Sequence, residues 1–284
     1  MKEAIKKSEV LIEALPYIKK FFEKPVVIKY GGAAVDEKGI EPGILEDITF
    51  MNYAGMRPII VHGGGPMISK MMKKAGIEPK FIGGRRVTDA KTVQIIDKAL
   101  GIINKKIVKT LRGMGTKAFG LSGRENNLIR VRKMRGDVDL GFVGEVTSVD
   151  TTVVKKLIED NIIPVIYPLG IGRDGNLYNV NADDVASEIA MALKAEKFVL
   201  LTNVRGIMRD KKDPATLYHT LKTSDVGHLI KRKVIDSGMI PKAQACVNAV
   251  RGGVKKAHIL DAGLPHALLL EMFTDKGIGT QIVK

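Results

Sequence analysis

Two glycine-rich segments of this sequence have the residue types that bind anions. Lys29 ends an apolar run and is followed by Gly31 and Gly32. A second apolar run leads into three glycines at 63–65. Glycine lets backbone N–H groups approach phosphate oxygens closely, because no Cβ stands in the way. KYGG is equally compatible with a tight strand–helix turn, whereas HGGGP precedes a predicted helix N-terminus and is the stronger indication of an anion site.

Neither glycine segment fits a common nucleotide-binding signature. The spacing is not that of a Walker A loop or of a G-x-G-x-x-G turn. A dinucleotide fold also needs an acidic residue about 20 positions after the loop, where this chain has the basic GGRR at 83–86. His62, before the three glycines, could take part in catalysis, but we expect a structural histidine that bonds a neighbouring loop.

Three further segments place charged or polar side chains at predicted element ends. The segment 83–89 has paired arginines, which suit a carboxylate, although a solvated surface pair is the alternative. Residues 178–186 crowd asparagines and aspartates before a predicted helix. There Asn181 or Asp183 could be a helix N-cap, or the group could form a site that binds substrate and orients a lysine. Lys242 stands at a predicted helix start, where a cation opposes the helix dipole; either a bound anion or simple exposure would explain it.

The elements that must position these residues alternate along the chain. Residues 8–22 predict an amphipathic helix, in which Pro16 should introduce a kink. Continuous apolar strands between amphipathic helices predict a mainly parallel sheet covered on both faces. Ligands bind beyond the carboxyl ends of such strands, where both glycine segments lie. The predicted strands, with their turns, are 25–32, 57–66, 127–133, 162–170, 197–204 and 255–263, and the predicted helices are 67–76, 182–195 and 242–253.

The composition is that of an ordinary globular protein. The chain has 284 residues, of which 45% are hydrophobic and 27% charged, with a single cysteine and a net charge of +15. We expect a cytoplasmic protein without a membrane span or internal disulfide. The charge raises the alternative of nucleic-acid binding. Because aromatic residues make up only 5% and tryptophan is lacking, we expect anionic small ligands and no nucleic-acid partner.

Taken in order, the motifs resemble those of the amino acid kinase family over nearly the whole chain. They are KYGG, HGGGP, GRRVTD, LSG at 121–123, NVNAD, LTNVRGI, GMIPK and HALLLEMFTDKGIGT. The resemblance implies an α/β fold, an open αβα sandwich with a mainly parallel central sheet and a kinked N-terminal helix. It also implies an oligomerisation helix at 1–24, an acylamino-acid-binding lobe at 25–175 and a lobe at 176–284 for ATP and an arginine effector.

The same resemblance implies a reaction and a set of residues. The reaction is ATP-dependent phosphorylation of the γ-carboxylate of N-acetyl-L-glutamate in arginine biosynthesis, with Mg²⁺ carried by ATP rather than by protein ligands. Lys29 and Lys242 would stabilise the transferring phosphoryl group, and Asp183 would orient both lysines. The implied substrate ligands are Gly64, Gly65, Arg86 and Asn179, and the implied phosphate and nucleotide ligands are Gly31, Gly32, Gly63, Thr202, Asn203, Val204, Gly206 and Ile207.

A γ-carboxylate nucleophile agrees with the residue types of the predicted site. A γ-carboxylate has a reference pKa of about 4.3 and is ionised at neutral pH, so the reaction needs no general base. Lysines, Mg²⁺ and oriented N–H groups would offset the repulsion between two anionic substrates.

The extra N-terminal helix resembles that of arginine-inhibited family members, in which such helices interlace dimers into hexamers, a trimer of dimers. The implied L-arginine ligands are Tyr17, His258, Glu271 and Gly277. Three alternatives remain at this point: a related kinase of carrier-bound 2-aminoadipate, a non-catalytic arginine-sensing module, and a nucleic-acid-binding protein.

Overall fold

A computed structural model describes residues 1–31, 42–236, 238–274 and 277–284 of the chain. The expected phosphate ligand Gly32 lies outside these residues. The described helices are α1 (Lys2–Phe21), α2 (Pro42–Tyr53), α3 (Gly65–Lys74), α4 (Ala90–Gly113), α5 (Thr152–Glu159), α6 (Ala182–Ala192), α7 (Thr223–Lys231), α8 (Ile240–Arg251) and α9 (Ala267–Met272). The described strands are β1 (Pro25–Tyr30), β2 (Arg57–His62), β3 (Phe81–Ile82), β4 (Arg85–Arg86), β5 (Ala118–Ser122), β6 (Ile129–Lys133), β7 (Gly144–Val149), β8 (Ile163–Tyr167), β9 (Leu169–Gly172), β10 (Leu177–Asn179), β11 (Lys197–Thr202), β12 (Thr220–Lys222), β13 (Lys256–Asp261) and β14 (Thr280–Val283).

A single large sheet forms the centre of the described chain. Its eight strands follow the order β12-β14-β13-β11-β1-β2-β8-β5. Neighbouring strands run parallel, except that β13 and β14 run antiparallel. The expectation of a mainly parallel α/β sheet is confirmed.

Apolar side chains pack on both faces of this sheet. Val27 and Val61 contribute to one core, which α6 and α8 cover, while Val26, Ile28 and Ile60 contribute to the other, which α2 and α4 cover. Successive side chains of a strand point to opposite faces. A central strand such as β1 must therefore be apolar at nearly every position, and Lys29 comes only near its carboxyl end.

The segment 162–170 is not one strand, as its apolar run predicted, but two strands in different sheets. β8 belongs to the central sheet, and β9 belongs to a second sheet with the order β10-β9-β6-β7. Pro168 separates them, because proline has no N–H to donate to a ladder. The predicted strand at 127–133 also lies in the second sheet, as β6. Residues 173–176, near the expected lobe boundary, form the turn between β9 and β10.

The predicted N-terminal helix is confirmed as α1, which begins earlier than expected and contains Pro16. Its last turn is anchored, since Phe21 is buried and Tyr17 makes an edge contact with Phe273. Nearer the N-terminus of α1 apolar side chains are exposed: Leu11 is 67% exposed and Leu15 is 42% exposed. Within the described chain, no helix has the length and apolar character needed to cross a membrane.

Candidate active site

Three elements bring Lys29, Asp183 and Lys242 together, and we call these residues the lysine–aspartate–lysine triad. Lys29 comes from β1, Asp183 from the first turn of α6, and Lys242 from the first turn of α8. The Lys29 Nζ lies 3.0 Å from the Asp183 Oδ1. The Lys242 Nζ lies 2.7 Å from the Asp183 Oδ2. The contact pattern that the sequence suggested, one aspartate between two lysines, is present.

The start of α6 fixes the position and the charge of Asp183. The Asn181 Oδ1 is the helix N-cap and accepts hydrogen bonds from the backbone N–H of Asp183 at 2.8 Å and of Asp184 at 3.3 Å. Burial alone would raise the pKa of Asp183, but the neighbouring Lys29 and Lys242 outweigh it and hold the pKa below its usual range. Asp183 is therefore a carboxylate at neutral pH, stabilised further by the helix N-terminus.

The position of Lys242 at a helix start, which the sequence marked as unfavourable, has an internal explanation. Asp183 compensates the opposed dipole of α8. Since two ammonium groups share one carboxylate, the triad keeps one uncompensated positive charge. A negatively charged ligand beside it would be stabilised.

The two glycine segments are joined by a backbone hydrogen bond. The Gly63 N–H donates to the Tyr30 carbonyl at 3.0 Å. The expectation that this N–H binds a phosphate does not fit the structure, because it already has an acceptor. The first N–H groups of α3, on Gly65 and Met67, have no acceptor within the helix and offer the anion site instead. Gly31 has a steric role, since a Cβ there would lie 3.0 Å from the Lys29 Nζ.

His62 holds the glycine segment in place, as expected. Its Nε2 lies 3.1 Å from the Nδ2 of Asn104 and accepts from that amide, which also donates to the Val165 carbonyl at 2.8 Å. Its Nδ1 consequently carries the proton and donates to the Gly63 carbonyl at 3.0 Å. Burial lowers the pKa of His62 to about 4, so the ring is neutral at pH 7 and structural in role.

The predicted substrate ligands surround a cavity of about 210 Å³, which we call the glycine cavity. The Arg86 guanidinium is held at its wall: its Nη2 donates to the Gly65 carbonyl at 3.2 Å and to the Ser69 Oγ at 2.9 Å. Its Cζ lies over the Phe81 ring, 4.6 Å from the ring centre. The residues lining the cavity include Gly63, Gly64, Gly65, Arg85, Arg86, Asn179, Asn181 and Ala182.

All the predicted nucleotide ligands in the C-terminal half line a second cavity of about 300 Å³, which we call the Thr202 cavity. Lys242 lines it too, so this cavity adjoins the triad. Most of its other wall residues were not foreseen from the sequence, because residues 208–236 carry none of the quoted motifs. The lining residues include Thr202, Asn203, Val204, Gly206, Ile207, Met208, Lys211, Val234, Ile235, Asp236, Met239 and Lys242.

The four predicted arginine ligands line a third cavity of about 870 Å³, which we call the Tyr17 cavity. Inside it the His258 Nδ1 lies 2.7 Å from the Glu271 Oε1. Burial alone would raise the pKa of Glu271, but His258, Lys197 and the Ile278 N–H outweigh it and lower the pKa. Besides Glu271 and His258, the predicted residues lining the cavity are Tyr17 and Gly277.

Lys197 belongs to this cavity as well and was missed from the sequence. Its Nζ lies 3.4 Å from the Glu271 carbonyl oxygen and 5.0 Å from the centre of the Phe21 ring. Burial lowers its pKa to about 8. The signal in the sequence that could have identified it is a lysine at the first position of the apolar run KFVLLT, which forms a fully buried strand.

Residues 24–261 match the model of the amino acid kinase family. The chain is 48% identical to an acetylglutamate kinase from Desulforamulus reducens over 98% of both chains. It is 47% identical to an acetylglutamate kinase from Heliobacterium modesticaldum over the full length of both.

Solved structures share the fold. The N-acetylglutamate synthase from Neisseria gonorrhoeae, complexed with coenzyme A and N-acetyl-glutamate, superposes with a TM-score of 0.86 at 26% identity. That match covers 98% of this chain but only 63% of the synthase chain, so this chain spans less than two thirds of it. The carbamate kinase from Giardia lamblia bound to AMP-PNP superposes with a TM-score of 0.67 at 17% identity, over 92% of this chain and 99% of the other.

Proposed function

The chain belongs to the amino acid kinase family, and from this premise we propose that it transfers the γ-phosphoryl group of ATP to the γ-carboxylate of N-acetyl-L-glutamate. The reaction yields N-acetyl-L-glutamyl 5-phosphate and belongs to arginine biosynthesis. The observation that carries the proposal is the triad between two cavities. Lys242 lines the Thr202 cavity, and Ala182, next to Asp183, lines the glycine cavity.

The triad suits an in-line transfer between two anions. A γ-carboxylate oxygen of the substrate forms a bond to the γ-phosphorus, the bond to the β,γ-bridging oxygen breaks, and ADP leaves with those electrons. No proton moves, which agrees with a site built from lysines and amides rather than an acid–base pair. Lys29 and Lys242 stabilise charge on the transferring oxygens. Asp183 keeps both ammonium groups at fixed positions, and the α3 N-terminus offers N–H donors.

The Thr202 cavity fits the nucleotide. It combines apolar walls, such as Val234 and Ile235, with Lys242 beside the triad. Mg²⁺ bound to ATP would neutralise phosphate charge.

We also propose that the chain divides near residue 175 into the expected substrate-binding lobe and ATP-binding lobe. In support, the residues named for the Thr202 cavity all follow residue 175, and those named for the glycine cavity precede it except Asn179, Asn181 and Ala182.

The test is a hydroxamate-trapping assay for acyl phosphate, run with ATP and N-acetylglutamate, glutamate or 2-aminoadipate. We expect hydroxamate from N-acetylglutamate and much less from the other two. Turnover of 2-aminoadipate in preference would redirect the assignment to another branch of the family. Phosphorylation of none of them would refute it.

For regulation, we propose that L-arginine binds the Tyr17 cavity as an inhibitor and that α1 joins dimers into a hexamer. The Glu271 carboxylate suits a guanidinium or an α-ammonium group. The apolar side chains of Leu11, Ile12 and Leu15 are exposed in the single chain, as a helix that packs on a second copy requires. The Neisseria gonorrhoeae synthase has also been solved with coenzyme A and L-arginine, and it superposes with a TM-score of 0.85 at 25% identity.

Deletion of residues 1–22 tests both parts, since it should abolish hexamers in light scattering and weaken inhibition by arginine. Leu11→Glu separates the role of α1 in assembly from arginine binding, because it disrupts the exposed apolar face of α1 but leaves Tyr17 in place. Glu13→Gln, a polar exchange on the same helix, is the control. A truncated protein that stays hexameric would contradict the role of α1.

A further inference from the structure

Arg85 has a buried donor that no described residue satisfies. It lies in β4 beside Arg86, and its Nη2 donates to the Asp184 Oδ2 at 3.0 Å. Its Nη1 is buried and has no hydrogen-bond partner among the described residues. Buried polar groups are nearly always paired, because an unpaired one loses its hydration without compensation. Since Arg85 lines the glycine cavity, a ligand in that cavity is the natural acceptor.

The neighbouring Arg86 is in a different situation. Its Nη1 lies 3.2 Å from the Met72 Sδ, and its Nη2 donates to Gly65 and Ser69. Both terminal nitrogens therefore already have protein partners. Of the two arginines that the sequence placed side by side, Arg85 is the one with a terminal nitrogen that has no partner among the described residues.

Asp184 fixes the direction of the Arg85 side chain. It follows Asp183 in the first turn of α6, and its backbone N–H donates to the Asn181 Oδ1 at 3.3 Å. Burial raises the pKa of Asp184, and Arg85 opposes that rise, while Asp183 and Glu145 add to it. One guanidinium thus pairs with Asp184 through Nη2, while its buried Nη1 has no partner among the described residues. A planar guanidinium can bridge two carboxylates in this way, which a lysine cannot do with the same geometry.

We propose that Arg85 binds the α-carboxylate of the acylamino-acid substrate through Nη1, as a second arginine beside Arg86 that helps to set substrate specificity. The inference rests on the proposed function and adds to it a residue and a contact. A carboxylate is the ligand group that matches a fixed, charged N–H donor best, because such charge-assisted bonds are stronger than neutral ones.

The main test is steady-state kinetics of Arg85→Met. We expect the KM for N-acetylglutamate to rise about 10- to 100-fold, the effect of losing one hydrogen bond to a charged group, with little change in the KM for ATP. Arg85→Lys, which keeps the charge near Asp184 but lacks the fork, should also raise this KM. The control is Lys133→Met, which breaks an exposed ion pair with Asp139; neither residue lines the glycine cavity, so both KM values should stay unchanged.

A second variant separates substrate binding from a purely structural role. If Arg85 served only to neutralise Asp184, then Arg85→Met combined with Asp184→Asn would restore the wild-type KM. We expect the KM of the double variant to stay raised. The preference of the wild type for N-acetylglutamate over its α-carboxamide, measured as a ratio of kcat/KM values, should also shrink in both variants.

Two results would overturn the inference: an unchanged KM in Arg85→Met, or full recovery in the double variant. Failure of the wild type to phosphorylate N-acetylglutamate is a distinct outcome, which would refute the proposed function and this inference with it.

Discussion

Replacing Asp183 with asparagine removes the carboxylate charge that lies between Lys29 and Lys242. The side chain keeps its size, so packing at the start of α6 is preserved. The two ammonium groups, 3.0 Å and 2.7 Å from the lost charge, then face each other without a shared counter-ion. Each pair is worth on the order of 5 kcal/mol in gross Coulomb energy at an effective dielectric constant of about 20. Much of that is offset by desolvation in the native protein, and breaking such a buried pair has a net cost of about 3–5 kcal/mol.

We therefore expect Asp183→Asn to lower the free energy of unfolding by about 3–5 kcal/mol in urea titrations without nucleotide. The kcat of acyl-phosphate formation should fall about 100-fold or more, because both lysines lose their fixed positions. Asp139→Asn, which removes an exposed carboxylate paired with Lys133, is the matched control and should change neither quantity measurably. A folded Asp183→Asn variant with kcat within about threefold of the wild type would refute the positioning role.

Two further predictions follow from the described charges. Lys29→Met and Lys242→Met should each lower kcat about 100-fold or more while changing KM far less, because both lysines act on charge that develops in the transition state; near-normal kcat in either variant would remove its assigned role. Lys197 has a folded pKa of about 8 against an ordinary value of 10.5, so between these values the unfolded chain binds more protons than the folded one. Stability should then rise with pH from about 8 to 10 relative to Lys197→Met, by up to about 3 kcal/mol. A flat difference in urea midpoints over that range would contradict the lowered pKa.

The central strands could be predicted from the sequence because burial on both faces demands unbroken apolar runs. β1, β2, β11 and β13 lie where those runs lie, and the helices predicted at 67–76, 182–195 and 242–253 begin within a few residues of the expected positions as α3, α6 and α8. The prediction of a single strand at 162–170 was wrong, because this apolar run is divided at Pro168 into two strands that belong to different sheets. Apolar content alone does not tell which partner strand a residue will meet.

The candidate site was predictable in its members but not in its hydrogen bonds. The triad residues come from segments more than fifty positions apart, and only the ordered set of motifs brought them into one prediction. The Gly63 N–H was misassigned because its acceptor, the Tyr30 carbonyl, lies on a different strand. Lys197 carries no motif, and its lowered pKa comes from burial by Phe21 and its surroundings, which only the packed fold reveals.

The most direct test of the proposed reaction follows the oxygen atom. N-acetyl-L-glutamate labelled with ¹⁸O in the γ-carboxylate is incubated with the enzyme and ATP, and the product is examined by ³¹P NMR. We expect an acyl phosphate whose phosphorus signal shows the isotope shift of one bonded ¹⁸O, because the carboxylate itself attacks the γ-phosphorus. An acyl phosphate without that shift, or phosphate release with no acyl phosphate, would contradict it.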